Sequence, residues 1–181
     1  MIDSLGIYKK ANNLVKAFGT RDTLKIAKAI GIDVVPVDCF DDLLGMYTFK
    51  WKHRVMFIND RMDEYLTQMV VGHEMGHDIY HRELAKGDGL KEFELFRMQS
   101  HTEYEANAFA AHTLLSTKEC LEYAREGYDV VQIAKMMNSE INLMLIKMQE
   151  LIRLGYNLRL PTEPQSDFFK NIRAESKDEE W

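Results

Sequence analysis

The chain has 181 residues, of which 46% are hydrophobic and 29% charged, and its net charge is -6 at pH 7. That length holds one domain with a real core, and the composition excludes a disordered or membrane-embedded chain. The negative balance excludes a general attraction to phosphate backbones or anionic lipid. The start, MIDSLGIYKKANN, has no apolar core of signal-peptide length, and no run reaches the roughly 18 apolar residues of a spanning helix. A cytoplasmic protein without a membrane partner is expected. Cys39 and Cys120 are far apart and lack the paired spacing of a zinc ribbon or redox motif, so both are expected to be reduced and partly buried.

From Ser4 to about Ile30, Leu14, Val15, Phe18, Leu24, Ile26, Ala27 and Ile30 fall at helical spacings, broken at Gly19 and stopped at Gly31, which predicts two helices. IDVVPVD follows as a brief strand, confined by Pro36 to an edge or a strand end. Met46 to Trp51 and Val55 to Ile58 are extended runs around the polar Lys52, His53 and Arg54, the pattern of a hairpin. Asn59 or Asp60 is the expected N-cap of a helix whose apolar stripe is Met62, Tyr65, Leu66, Met69 and Val70. After His81 come a KGDGL turn, a mixed segment FELFRM and the helix-like TEYEANAFAAHTLL, whose alanines at 106, 108, 110 and 111 permit close approach to another helix. QIAKMMNSEINLMLIKMQELIRL predicts two more helices meeting near Asn138 and Ser139. Residues 161–181 are polar and acidic without a sustained period and read as a flexible tail, which puts the domain boundary near residue 160.

The stripe of the middle helix continues onto His73 and then His77, so two imidazoles enter a place that should be apolar. An unpaired buried polar group costs on the order of 2–7 kcal/mol, and something must satisfy both rings. Residues four apart on a helix lie about 6 Å apart along the axis and about 40° apart around it, close enough to bind one ion. Zinc is the commonest fit for two such nitrogens. Glu74, directly after the first histidine, projects beside the metal and can take a proton from the water that the metal activates, the hydrolytic arrangement H-E-x-x-H. Catalytic zinc needs a third protein ligand, for which His81, His101, Glu103, Glu105 and His112 are candidates. His81 stands about 12 Å of axial rise from His73, too far to converge with both histidines, and reads as a neighbour of the site or a helix-end residue. Glu103 is followed four residues later by Asn107, an amide able to orient a metal-bound histidine through its other ring nitrogen. Glu103 is therefore the expected third ligand. Glu105 reads as part of a solvated helix face, and His101 and His112 as surface or helix-end residues.

HEMGHDIYH followed by EYEANAFAAHTLL resembles the ImmA/IrrE family of metallopeptidases, and the similarity takes in DTLKIAKAIGIDVV, the hairpin and QIAKMMNSEINLMLIKMQEL. The resemblance implies an α+β fold of compact, gluzincin-like type: a small antiparallel sheet, an active-site helix, a second helix bringing the glutamate, and C-terminal helices. Residues 1–160 would form the metallopeptidase domain. His73, Glu74, His77, Glu103 and Asn107 match the family pattern one by one. The implied activity is zinc-dependent cleavage of a helix-turn-helix repressor of a mobile element or prophage. One departure is HTLLSTKE, which lacks the Met-Pro that many relatives carry after this stretch.

Two other readings compete. The segment from Val130 has helix-turn-helix spacing, but between Glu126 and Arg153 four acids (Glu126, Asp129, Glu140, Glu150) face three bases (Lys135, Lys147, Arg153), the wrong balance for phosphate contacts. A non-catalytic metal-binding module that regulates a partner by contact is disfavoured by the intact Glu74. For a peptidase, the hairpin from Met46 to Ile58 is the expected edge on which a substrate strand is held.

Overall fold

Acidic and hydroxyl side chains start the helices, and left-handed glycines end the first of them. The computed structural model describes residues 2–87, 89–92, 95 and 100–158. Asp3 accepts the Gly6 N–H and opens α1 (Ser4–Phe18), which stops at Gly19 with φ 66°. Asp22 opens α2 (Thr23–Ala29), and the chain turns away at Gly31 with φ 80°. The two expected helices are thus divided where only glycine adopts the backbone without strain.

Four strands follow: β1 (Asp33–Val37), β2 (Gly45–Lys50), β3 (His53–Asn59) and, after the next helix, β4 (Leu90–Glu92). The β2–β3 hairpin closes through Trp51 and Lys52, both at positive φ (50° and 66°), the signature of a two-residue type I′ turn. The sheet order is β1-β3-β2-β4, so Pro36 lies on an edge strand as its missing donor requires. The α+β architecture is as expected, but the sheet is mixed rather than purely antiparallel. β1 joins the hairpin on its β3 side and runs parallel to β3. The expected open edge on the hairpin is also absent at the start of β2, because Gly45, Met46 and Tyr47 pair with β4.

The middle helix, α3 (Glu64–Tyr80), is capped by Asp63, whose side chain accepts the Leu66 N–H. It does not start at Asn59 or Asp60: Asn59 Oδ1 accepts the Arg61 N–H in a tight turn, while its amide N–H groups hold Phe40 O and Leu43 O of the preceding loop. Residues 69–78 of α3 are buried on every side, not on one stripe. Tyr47 of the sheet donates to Asp78 at 2.6 Å, and Thr23 of α2 donates to Gln68 O at 2.8 Å. The remaining side is covered by α4 (His101–Leu114), capped by Ser100. Three further helices complete the described residues: α5 (Thr117–Arg125), α6 (Val130–Met136) with a full capping box of Asp129 and Gln132, and α7 (Ile141–Arg153). The last two meet at Asn138, φ 47°. Buried Ile7, Ile26, Met56, Met75, Phe109, Ile133, Met144 and Met148 tie these layers into one core. No helix among the described residues is long and apolar enough to cross a membrane. The expected tail, 161–181, and most of FELFRM lie outside the described residues.

Candidate metal centre and active site

The site exists because α3 and α4 cross without side chains between them. A Cβ on Gly76 would lie 2.7 Å from Ala106 Cα, and one on Gly72 would lie 3.4 Å from Ala110 Cβ. This close approach, which the alanines of α4 permit, brings Glu103 in the first turn of α4 against the histidines of α3.

His73 Nε2 and His77 Nε2 are 3.0 Å apart. Glu103 reaches both, with Oε2 3.3 Å from His73 Nε2 and Oε1 3.5 Å from His77 Nε2. A tetrahedral ion with bonds of about 2.0–2.2 Å sets its donors roughly 3.3–3.6 Å apart, so the three groups already stand near the separation zinc would impose. Their tautomers fit as well. Asn107 Oδ1 lies 2.9 Å from His73 Nδ1, which places the proton on Nδ1 and leaves the Nε2 lone pair facing the cluster. Glu105 Oε2 lies 2.9 Å from His81 Nε2, and His81 Nδ1 lies 3.0 Å from His77 Nδ1. The Glu105 carboxylate accepts from His81 Nε2–H, His81 Nδ1 accepts from His77 Nδ1–H, and His77 Nε2 is also left as a lone pair. Two lone pairs facing one another at 3.0 Å beside carboxylates call for a cation.

The electrostatics agree. Burial, the largest influence on His73, disfavours its charge, yet Glu103, Glu92 and Glu74 outweigh it and push the imidazole up to about 10. His77 moves the other way: burial lowers it most, and the neighbouring His73 and His81 add to that against the pull of Glu103. Burial works against Glu103 too, but the two histidines hold its carboxyl well below the usual carboxylate range. Without a metal, one proton on His73 stands where the cation would be.

Glu74 is fully buried, and neither carboxylate oxygen has a hydrogen-bond partner among the described residues. Burial first, then Glu92 and Glu103, push its carboxyl up to about 8, against the opposing pull of His73. Its space depends on Gly45, where a Cβ would lie 3.3 Å from Glu74 Oε1 and 2.7 Å from Val70 Cγ1. A carboxyl so placed exchanges its proton close to neutral pH, the range that acid–base work in hydrolysis requires.

The structure therefore brings together His73, Glu74, His77, Glu103 and Asn107. Three other readings change. Glu105 is not on a solvated face but anchors the His81–His77 chain of hydrogen bonds. His112 is not at the surface: it is fully buried, its Nδ1 2.9 Å from Lys147 Nζ, while His101 is exposed. Cys39 is exposed rather than partly buried, and Cys120 is buried; both are free. Two residues went unread. Asp78 ties α3 to the sheet through Tyr47 and Arg54 and holds Arg82 just past the helix end, and its place next to His77 on a buried helix is a signal that was present. Glu92 has no such signal. It reaches the cluster from β4, with Oε2 3.1 Å from His73 Nε2, and one ligand atom from each of His73, His77, Glu92 and Glu103 lies within 4.8 Å of all the others.

The chain is similar to the protein named "Uncharacterized immunity region protein 2" of Bacillus phage phi105, with 28% identity over 134 residues covering 74% of this chain and 84% of that protein. The model of the peptidase M78 family, described as the IrrE N-terminal-like domain, matches residues 27–144, a stretch that contains α3, β4 and α4 entire, and the chain belongs to this family of metallopeptidases.

Proposed function

We propose that the chain is a cytoplasmic zinc-dependent endopeptidase that cleaves a helix-turn-helix repressor of a mobile element or prophage. The observation that carries the catalytic part is the pairing of two converging imidazole lone pairs and Glu103 with a buried Glu74 directly beside them that has no hydrogen-bond partner among the described residues. His73, His77 and Glu103 would hold the metal, which when bound polarises the scissile carbonyl and makes water acidic enough to lose a proton near neutral pH. Glu74 accepts that proton as the water oxygen bonds to the carbonyl carbon. It then delivers the proton to the amide nitrogen as the C–N bond breaks. Asn107 and the Glu105–His81 pair hold the two rings in the tautomers that present Nε2.

Glu74 also weighs against a contact-only metal module. A centre that merely binds metal has no use for a buried carboxyl without a hydrogen-bond partner among the described residues, whose ionised form is so costly to desolvate that burial pushes it up to about 8. The DNA-binding reading loses ground in α7. Lys147, one of the three bases on that segment, is fully buried, with Nζ 2.9 Å from both His112 Nδ1 and Thr117 Oγ1, and so is no phosphate contact. For the substrate, support comes from the name of the phage relative, an immunity region protein. The test is to incubate the zinc-loaded protein and its Glu74→Gln variant with a helix-turn-helix repressor encoded beside its gene and with unrelated folded proteins, then identify fragments by mass spectrometry. A discrete cut in the repressor that disappears in Glu74→Gln is the expected result. Equal cleavage of every protein offered removes the specific substrate, and turnover undiminished in Glu74→Gln removes the proton-transfer role.

A further inference from the structure

β4 is only three residues long, yet its register is demanding: Gly45 faces Glu92, Met46 faces Lys91 and Tyr47 faces Leu90. Side chains alternate across a strand, so Glu92 and Leu90 share the face of Gly45 and Tyr47. That is the face packed on α3, where Tyr47 donates to Asp78 and Gly45 abuts Glu74. Lys91 points the other way and is exposed. A slip of one residue would bring a lysine to the cluster instead of a carboxylate. In the observed register Glu92 is 8% exposed and its Oε2 lies 3.1 Å from His73 Nε2.

Two consequences meet here. Counting donors, His73, His77, Glu103 and Glu92 make four, and four protein ligands characterise closed zinc sites, whereas hydrolytic sites keep one position open. Counting strand edges, the segment of β2 beside Glu74 is the one on which an extended peptide would be held next to the catalytic groups, and β4 occupies it. We infer that Glu92 is a fourth metal ligand that closes the centre, and that β4 stands where the substrate strand must lie. The resting protein is thus self-blocked, and cleavage begins when an extended segment of the target replaces β4 on β2 and frees the position held by Glu92. This inference rests on the metallopeptidase reading above.

Glu92→Gln keeps the side-chain size but replaces the anionic donor with a weak one. The test titrates acetohydroxamate, a small metal-binding probe, into the cobalt-substituted protein and follows the visible absorption of the metal. Blocked proteins of this kind populate their open form at about 0.1–10%, so Glu92→Gln is expected to bind the probe roughly ten- to thousand-fold more tightly than the wild type. It should also cleave the substrate faster. A second variant, Met46→Cys with Lys91→Cys, places two thiols directly opposite one another and leaves every proposed ligand in place. Its oxidised form is expected to lose probe binding and cleavage, and to regain both on reduction. Equal probe affinity in wild type and Glu92→Gln, or unchanged binding in the oxidised double variant, overturns the inference and leaves the metallopeptidase standing. A wild-type chain that takes up no metal overturns both.

Discussion

Glu74→Gln has a consequence for stability as well as for hydrolysis. In the metal-free protein the Glu74 carboxyl is pushed up to about 8 from an ordinary 4.5. A carboxyl raised in this way supports the fold fully below its unfolded value and withdraws that support as pH rises toward its folded value. Between pH 4.5 and 7 the unfolded chain gives up this proton while the folded chain retains it, which lowers stability by about 3 kcal/mol. Glutamine carries no such penalty. In the presence of a chelator, Glu74→Gln is therefore expected to melt roughly 6–12 °C above the wild type near pH 7, and to show little advantage near pH 4.5. Saturation with zinc should shrink the difference, because a cation within reach favours the carboxylate. The assay is thermal unfolding of both chains at the two pH values, with and without metal. A difference of the same size at both pH values in chelator would refute the reasoning, since it would show that packing rather than a buried charge separates the two chains.

Other substitutions probe the scaffold. Gly76→Ala forces a methyl toward Ala106 Cα, separates α3 from α4, and is expected to cost about 1–3 kcal/mol in urea denaturation together with a loss of bound zinc. Glu103→Ala, which leaves His73, His77 and Glu92 facing the metal, is expected to lower zinc affinity further than His81→Ala, which acts through His77 and weakens affinity by about 10- to 100-fold with secondary structure unchanged by circular dichroism. Asn107→Ala should resemble His81→Ala in a competitive chelator titration, and zinc content equal to wild type in both would show that these hydrogen bonds do not orient the rings. Removal of residues 161–181 is expected to leave zinc content and melting temperature unchanged, as their polar, acidic composition offers little apolar surface to bury.

What could be read from the sequence was whatever one local period encodes. The ends of α1 and α2 are written in Gly19 and Gly31, and the inward position of His73 and His77 in the stripe that precedes them. The helix is capped by Asp63 rather than Asn59 because Asn59 turns its oxygen to Arg61 N–H and its N–H groups to Phe40 and Leu43, carbonyls of a loop whose course no local pattern reveals. His112 continues the buried face of Tyr104 and Ala108 by another step of four, so the helix period already pointed inward; what was missing was its partner, Lys147, thirty-five residues away on α7. Glu92 is the extreme case. Its place depends wholly on the pairing of β4 with β2 across the intervening length of α3, and three residues are too few to display a strand period.

The enclosure of α3 has a kinetic meaning. Its amides from residue 69 to residue 78 lie between the sheet, α2 and α4, with no face open to water, so they can exchange with deuterium only when neighbouring elements detach. β4, held by three residue pairs at the rim of the sheet, can detach without disturbing any of them. A deeply enclosed helix segment and a three-residue edge strand thus meet at a single cluster of side chains. Motion at the sheet edge can alter what the histidines meet while the histidines themselves stay fixed.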